Sequence, residues 1–487
     1  MRWKGFTLSL LLFAGLSTLI QAAFATTPVV TVTSPTNGST DSSPVNFIAS
    51  ASSPDCAEGI AAMRIYTAPG VGAYTTDSDS LNVDLSLAAG TYDTVVQAWD
   101  NCGGVGKTPV TIMVKGDTLP PPKFLYSSDN SGNKVYEYLV DASTGAIAAT
   151  SQVSIATPAY PSRIASDQGG FRLYVTSGGY NSSSELSAYF INRDNGTLQA
   201  VPGSPGALTG VPTAVVVHPS GDYVYVTTTA GNDNQTNYIY AFKVQSNGSL
   251  TAISGSPFVS TYWPQQAVIN PTGSYLYTAA YNAAYVEAYD INKSTGALTP
   301  MAGEPFALPE NPTTGCAGGA NDMAFAQFGQ HLVVPEYYCN GVIAVFNVGS
   351  NGTLTSAPGS PVMDRLPDPQ EPFDLQAIAV DPLNRWWYLY EYFVGELPSM
   401  DLATLTAQDT AERTGSQCGD IIRADPSGEF VYAIGNTTGD GICGSSPGAI
   451  LGFSVNQSNG TLTPLSGSPF ASPNADYYGE DGLVVTQ

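Results

Sequence analysis

The chain has 487 residues, too many for one core, because domains run roughly 50 to 250 residues and only propellers and barrels stretch further. Charged residues make up 11% of it while Gly (50), Pro (35) and Tyr (28) abound, which excludes a helical protein in favour of short strands and tight turns. A net charge of −24 repels phosphate backbones and anionic lipid surfaces, so neither nucleic acid nor membrane is expected as a partner.

Residues 1–25 read as a secretory signal: Arg2 and Lys4, an apolar run from Phe6 to Ile20, then Ala23-Phe24-Ala25 as an A-x-A cleavage site. The run is shorter than the roughly 20 residues a bilayer needs. A mature chain starting near Thr26 is therefore expected in the periplasm, at the cell surface or in the medium. Six cysteines fall into three local pairs, Cys56 with Cys102, Cys316 with Cys339 and Cys418 with Cys443, the natural pattern of disulfides formed in an oxidising compartment. The absence of CxxC spacing and the presence of only two histidines leave no Cys/His zinc site, and no metal or other cofactor is expected.

Residues 26–116 alternate apolar and polar residues in short runs, as in Val29-Val30-Thr31-Val32, Val45-Asn46-Phe47-Ile48, Met63-Arg64-Ile65-Tyr66 and Tyr92-Asp93-Thr94-Val95-Val96. Period-two runs punctuated by Gly, Pro, Ser and Asp predict a half-buried β-sandwich. The phrases Ser34-Pro35-Thr36-Asn37-Gly38, Ala89-Gly90-Thr91-Tyr92 and Ala98-Trp99-Asp100-Asn101 resemble bacterial Ig-like domains, which implies a spacer. A stiff Pro-rich linker follows at 117–122.

From 123 to 487 one phrase recurs: Asn195-Gly196-Thr197-Leu198, Asn247-Gly248-Ser249-Leu250, Gly296-Ala297-Leu298, Asn351-Gly352-Thr353-Leu354, Asn459-Gly460-Thr461-Leu462 and, weaker, Gly145-Ala146-Ile147. Most copies are trailed by Gly-Ser-Pro-Phe or a variant, as at Gly255 to Phe258. The spacing is about 50 residues, one four-stranded propeller blade. A degenerate unit near Leu402 to Gln408 brings the count to seven. The first unit starts at Phe124-Leu125-Tyr126, taken as the equivalent of Val224-Tyr225-Val226, and lacks an inner strand. The last residues, Gly482-Leu483-Val484-Val485, are an inner strand with nothing after it. Pairing the two removes both open edges, so an all-β seven-bladed propeller closed by its C-terminal strand is expected.

Leu173-Tyr174-Val175-Thr176 and Tyr225-Val226-Thr227-Thr228, with the Gly-x-Leu and Gly-Ser-Pro-Phe phrases, resemble the lactonase-type, 6-phosphogluconolactonase-like propeller family with its YVTN-like repeats. The resemblance implies lactone chemistry in the central channel, with a Pro-His-x-His phrase entering one inner strand. The matching stretch, Gly319 to Phe325, has no histidine. His218 occupies a bottom-turn position, and His331 enters a second strand.

Counting back five residues from the turn positions Asp167, His218, Asn270, Ala326, Asp381, Asp425 and Thr486 gives Ser162, Thr213, Gln265, Asn321, Gln376, Asp420 and Asp481. All seven are polar among otherwise apolar strands, which predicts a wet channel mouth. Arg163 and Asp322 sit beside this ring. Tyr160, Tyr262, Trp263, Phe373, Tyr477 and Tyr478 approach the same mouth, a mixture suited to a carbohydrate, peptide or small-molecule ligand. Three functions fit: first, a noncatalytic binding module on a spacer; second, a lactone hydrolase using Arg163, Asp322, Asp420, Arg423 and Glu480; third, a structural surface or adhesion protein.

Overall fold

In the computed structural model the described residues are 27–487, apart from 43, 69–70, 86, 88–89, 116–119, 180–181, 231–235, 337–340, 364–374, 392–395, 402–405, 408–411, 414–420, 437–447 and 472–481. The signal, most of the linker, Asp420, Asp481, Glu480, Phe373, Tyr477, Tyr478, Cys339, Cys418, Cys443 and part of the degenerate unit thus lie outside the described residues. The chain divides into two compact units, 1–117 and 118–487.

The first unit is two antiparallel-rich sheets. One orders Val29–Ser34, Val45–Ser52 and Ser80–Leu85; the other orders Thr40–Ser42, Val105–Lys115, Gly90–Asp100, Ile60–Ala68 and Val71–Thr76. The alternation seen in the sequence becomes strict burial alternation along Val45–Ser52, and Val45, Phe47 and Ala49 meet Met63, Ile65, Val96, Ala98 and Ile112 from the other sheet in one core. Cys56 and Cys102 form the expected disulfide, with Cα atoms 5.8 Å apart.

The second unit contains seven successive sheets of four or five strands, among the described residues. The pattern is clearest in blade 3, where Val211–Val217, Tyr223–Thr229, Asn237–Val244 and Leu250–Ala252 run from inside to outside and Phe258–Ser260 returns to the third strand. Blade 1 is completed by the C-terminus: Leu483–Thr486 pairs antiparallel with Phe124–Asp129. Its neighbours are the inner strands Ile421–Ala424 and Pro161–Ser166.

The repeated phrases have a physical explanation. The glycine of Gly-x-Leu adopts positive φ, +74° at Gly296, and a Cβ there meets the ring of Tyr223 in the preceding blade at 2.5 Å. The tyrosine two residues on, Tyr225, is buried and donates its hydroxyl to the Gly296 carbonyl at 2.9 Å. Tyr126 does the same to Gly196, Tyr277 to Gly352 and Tyr432 to Gly145, the last joining blade 7 to blade 1. This register corrects the sequence alignment by one residue: Tyr126, not Leu125, is the equivalent of Tyr225. In the Gly-Ser-Pro phrases the serine hydroxyl accepts from a third-strand amide, Ser256 from Ala241 at 2.9 Å and Ser468 from Gly452 at 3.0 Å.

Candidate functional site

The inner strands are bulged at the positions singled out by the sequence. Register slips between Pro161 and Ile164, Pro212 and Ala214, Pro264 and Gln266, and Leu375 and Ala377, so that Ser162-Arg163, Thr213, Gln265 and Gln376 are the extra residues. A bulge breaks the strict in-out alternation and re-aims side chains. At this end Arg163, Gln265, Asn321, Asp322, Gln376 and Arg423 line one cavity of about 40 Å³. Gln266 and Ile421 complete it. Gln266 was not singled out in the sequence; its signal is that it follows the bulged Gln265, so both glutamines reach the same space.

Two members of the polar ring do not line the cavity. Ser162 and Thr213 are buried and turn to their own second strands, with hydroxyl contacts to Thr176 at 3.2 Å and Thr227 at 2.9 Å. Thr213 also donates to the Pro264 carbonyl in the next blade. Trp263 is half-buried and packs against Tyr281 with ring centroids 5.2 Å apart, while Tyr262 stacks on Tyr285 at 5.1 Å.

Asp322 is the hub. Its Oδ1 accepts from Gln266 Nε2 and from the Met323 amide, both at 2.9 Å, and its Oδ2 accepts from the Ile378 amide at 3.1 Å. Arg423 Nη1 lies 3.7 Å from Oδ2. One carboxylate thereby joins blades 4, 5, 6 and 7, and only Oδ2 has a loose contact. Alongside it the Asn321 amide donates to Gln376 Oε1, and Asn321 Oδ1 is buried without a partner. Arg163 lines the cavity and donates from Nε to the Thr213 carbonyl at 3.0 Å, and its Nη groups have no partner among the described residues.

Neither histidine belongs to the site. His218 is buried in its turn, with Nδ1 2.9 Å from Ser220 Oγ, Nε2 2.9 Å from the Gly273 carbonyl and its ring edge-on to Tyr223. His331 pairs with Asn347 across blade 5, and burial lowers its pKa. Behind the Asn321-Asp322 segment lies Glu336, fully buried, accepting the Gly318 amide through Oε2 at 3.1 Å with Oε1 unpartnered; burial pushes this carboxyl up to about 7. The sequence offered no signal for Glu336, because an isolated Glu after a Val-Val-Pro strand has the appearance of an exposed strand end. Cys316, ahead of that segment, is disulfide-bonded. Among the described residues, the only His/Cys/Asp/Glu group close enough to suggest a metal is Cys56, Glu58 and Cys102, and its two sulfurs are already bonded to each other.

A model of the family described as "Lactonase, 7-bladed beta-propeller" matches residues 199–314, which run from the outer strands of blade 2 through blades 3 and 4 to the approach to blade 5. Over that stretch the second unit resembles the lactonase-type propellers. The 6-phosphogluconolactonases of Pectobacterium atrosepticum and Pectobacterium carotovorum are 25% and 26% identical to the chain over 134 residues. That stretch is 26% of this chain and spans 38% of the length of those curated relatives. The periplasmic gluconolactonase of Pseudomonas aeruginosa superposes with a TM-score of 0.60 at 16% identity, covering 76% of this chain and 99% of that one. A Lactobacillus plantarum protein of solved structure gives 0.56 at 13%, covering 76% and 100%. At such identities the likeness establishes the fold alone. The lactonase-type propeller does not support the first-named expectation, a noncatalytic module; it favours the hydrolase alternative. No helix among the described residues is long and apolar enough to cross a membrane.

Proposed function

We propose that the protein is an exported lactone hydrolase, a closed seven-bladed lactonase-type propeller carried behind an Ig-like spacer, acting at the bulged end of its axial channel. The observation that carries this reading is the convergence of Asp322, Arg163 and Arg423 on one polar cavity in a propeller of this family. A space of about 40 Å³ holds a water or two and no sugar, since ligand pockets run to roughly 300 Å³ or more. The lactone therefore sits over the mouth with its carbonyl oxygen directed inward. Water attacks the carbonyl carbon and gives up a proton to Asp322 Oδ2, the loosely held oxygen. The oxyanion of the tetrahedral intermediate forms within reach of the Arg163 Nη donors. Its collapse breaks the ring C–O bond, and the alkoxide recovers the proton to give the open hydroxy acid.

The charge count favours an unphosphorylated aldonolactone. Arg423 already faces Asp322, leaving Arg163 as the cation available in the cavity, and a phosphate dianion calls for several. The signal segment and the periplasmic neighbour support export. The test is ring opening of monosaccharide aldonolactones, neutral and phosphorylated, by the purified chain. Asp322→Asn and Arg163→Gln are each expected to lower kcat/KM by about 100-fold or more. Silence across the panel, or rates untouched by both substitutions, overturns the reading.

A further inference from the structure

Among the described residues five non-glycines have positive φ: Asn133, Tyr160, Gln327, Phe328 and Asn384. Asparagine tolerates that conformation, and Gln327 and Phe328 share the turn at the opposite end of blade 5. Tyr160 shares its positive φ and its exposure with the aromatic Phe328, 48% against 44%, and is set apart by its place, immediately before the inner strand that carries Arg163. A β-preferring residue held in the left-handed region is strained and persists only where the surroundings or the function retain it.

Its backbone does the structural work. The Tyr160 amide donates to Asn133 Oδ1 at 2.9 Å and its carbonyl accepts from Gly178 at 3.0 Å, contacts that glycine would keep without strain. The exposed ring and hydroxyl make no hydrogen bond or ring contact among the described residues. Two blades on, Trp263 has the same place: each precedes the proline that begins the inner strand, and the Trp263 carbonyl likewise accepts an amide from beyond the second strand, that of Tyr281, at 2.9 Å. Close in sequence to these aromatics, the cavity lining offers unused polar groups of both kinds: the Arg163 Nη donors and the Gln265 amide, which both donates and accepts. A ligand whose every polar group both donates and accepts satisfies such a mixture, and a hydroxylated pyranose does so while laying its C–H face on a flat ring.

We infer that Tyr160, with Trp263, is a stacking site for a neutral saccharide ring at the channel mouth, and that the strained backbone is retained to present it. Combined with the hydrolase reading, on which this extension rests, the substrate becomes the lactone end of an oligosaccharide.

The experiment is calorimetric titration of the full chain with alditols of neutral di- to tetrasaccharides, which cannot form lactones, for wild type, Tyr160→Phe and Tyr160→Gly, with melting temperatures alongside. Wild type and Tyr160→Phe should bind within about threefold of each other, and Tyr160→Gly about tenfold more weakly with an unchanged or higher melting temperature. Equal binding by Tyr160→Gly, a melting temperature lowered by that substitution, no alditol bound at tens of millimolar, or binding of a peptide panel instead overturns the site. Hydrolysis of a monosaccharide lactone, run in parallel, separates the failures: turnover without alditol binding removes the saccharide site alone, and alditol binding without turnover removes the hydrolase reading alone.

Discussion

Most of the ring and the junction between blades 5 and 6 are held together differently. At the 1–2, 3–4, 4–5 and 7–1 junctions a buried tyrosine hydroxyl binds the carbonyl of the next blade's positive-φ glycine. At the 5–6 junction both halves are missing: Val333 stands where the tyrosine belongs, and the sequence from Leu402 to Gln408 contains no glycine. Donor and acceptor are absent together there, whereas at the 2–3 and 6–7 junctions the tyrosines, Tyr174 and Tyr388, are present with buried hydroxyls that have no partner. The 5–6 junction is instead spanned near the axis, where Asp322 of blade 5 takes the Ile378 amide of blade 6 and Asn321 binds Gln376. The lesson is that the repeat's regular bond holds the rim of the ring, and the blade that gave it up holds its neighbour through the residues of the candidate site.

The largest expected effect comes from breaking the regular side at its seam. Deleting residues 480–487 removes the inner strand of blade 1, exposes the edge of Phe124–Asp129 and strips the inner strands Pro161–Ser166 and Ile421–Ala424 of the strand between them. Calorimetry should show loss of the cooperative transition of the second unit; a truncation that melts as sharply as the full chain would refute closure through this strand.

Next is Gly296→Ala, which combines left-handed strain with a Cβ at 2.5 Å from the Tyr223 ring, and is expected to cost about 3 kcal/mol. Gly303→Ala has the strain but nothing within 4 Å, and should cost about 1 kcal/mol in the same denaturant titration. Equal costs would show that the aromatic contact contributes nothing.

Smaller still is Tyr225→Phe, which strands the Gly296 carbonyl and should cost about 1–2 kcal/mol. Tyr388→Phe, whose hydroxyl is buried without a partner, should be neutral or stabilising. Both belong to the same repeat position, so a difference between them measures the staple itself.

The last comparison is of pH dependence, and it sets the two sides against each other directly. Burial pushes Glu137 on the stapled side, and Glu336 behind the site, up to about 7 from an ordinary value of 4.5. The Leu198 amide at 3.3 Å opposes that rise in the first and the Gly318 amide at 3.1 Å in the second. Between those values the folded chain binds protons that the unfolded chain has released, so stability is fullest below about 4.5 and declines as pH rises through 7. The melting temperature should fall by a few degrees between pH 5.5 and 7.5, and Glu137→Gln with Glu336→Gln should flatten the slope. A melting temperature that rises over that interval and is unaffected by the double substitution would contradict the burial effect.

The sequence alone determined the two-unit, all-β organisation, because Gly-x-Leu phrases spaced about 50 residues apart and period-two runs are local consequences of turn and strand geometry. It also singled out, from one recurring register position, Gln265, Asn321 and Gln376, which line the cavity. What it could not determine is which members of the polar ring share a cavity. Four inner strands are bulged there, and an extra residue changes side-chain direction without changing composition, so Ser162 and Thr213 turn away while Arg163 and Gln266 turn in. The role of Asp322 as a four-blade hub and the burial of Glu336 rest on contacts between residues 18 to about 100 apart in sequence, and only the tertiary structure brings those partners together.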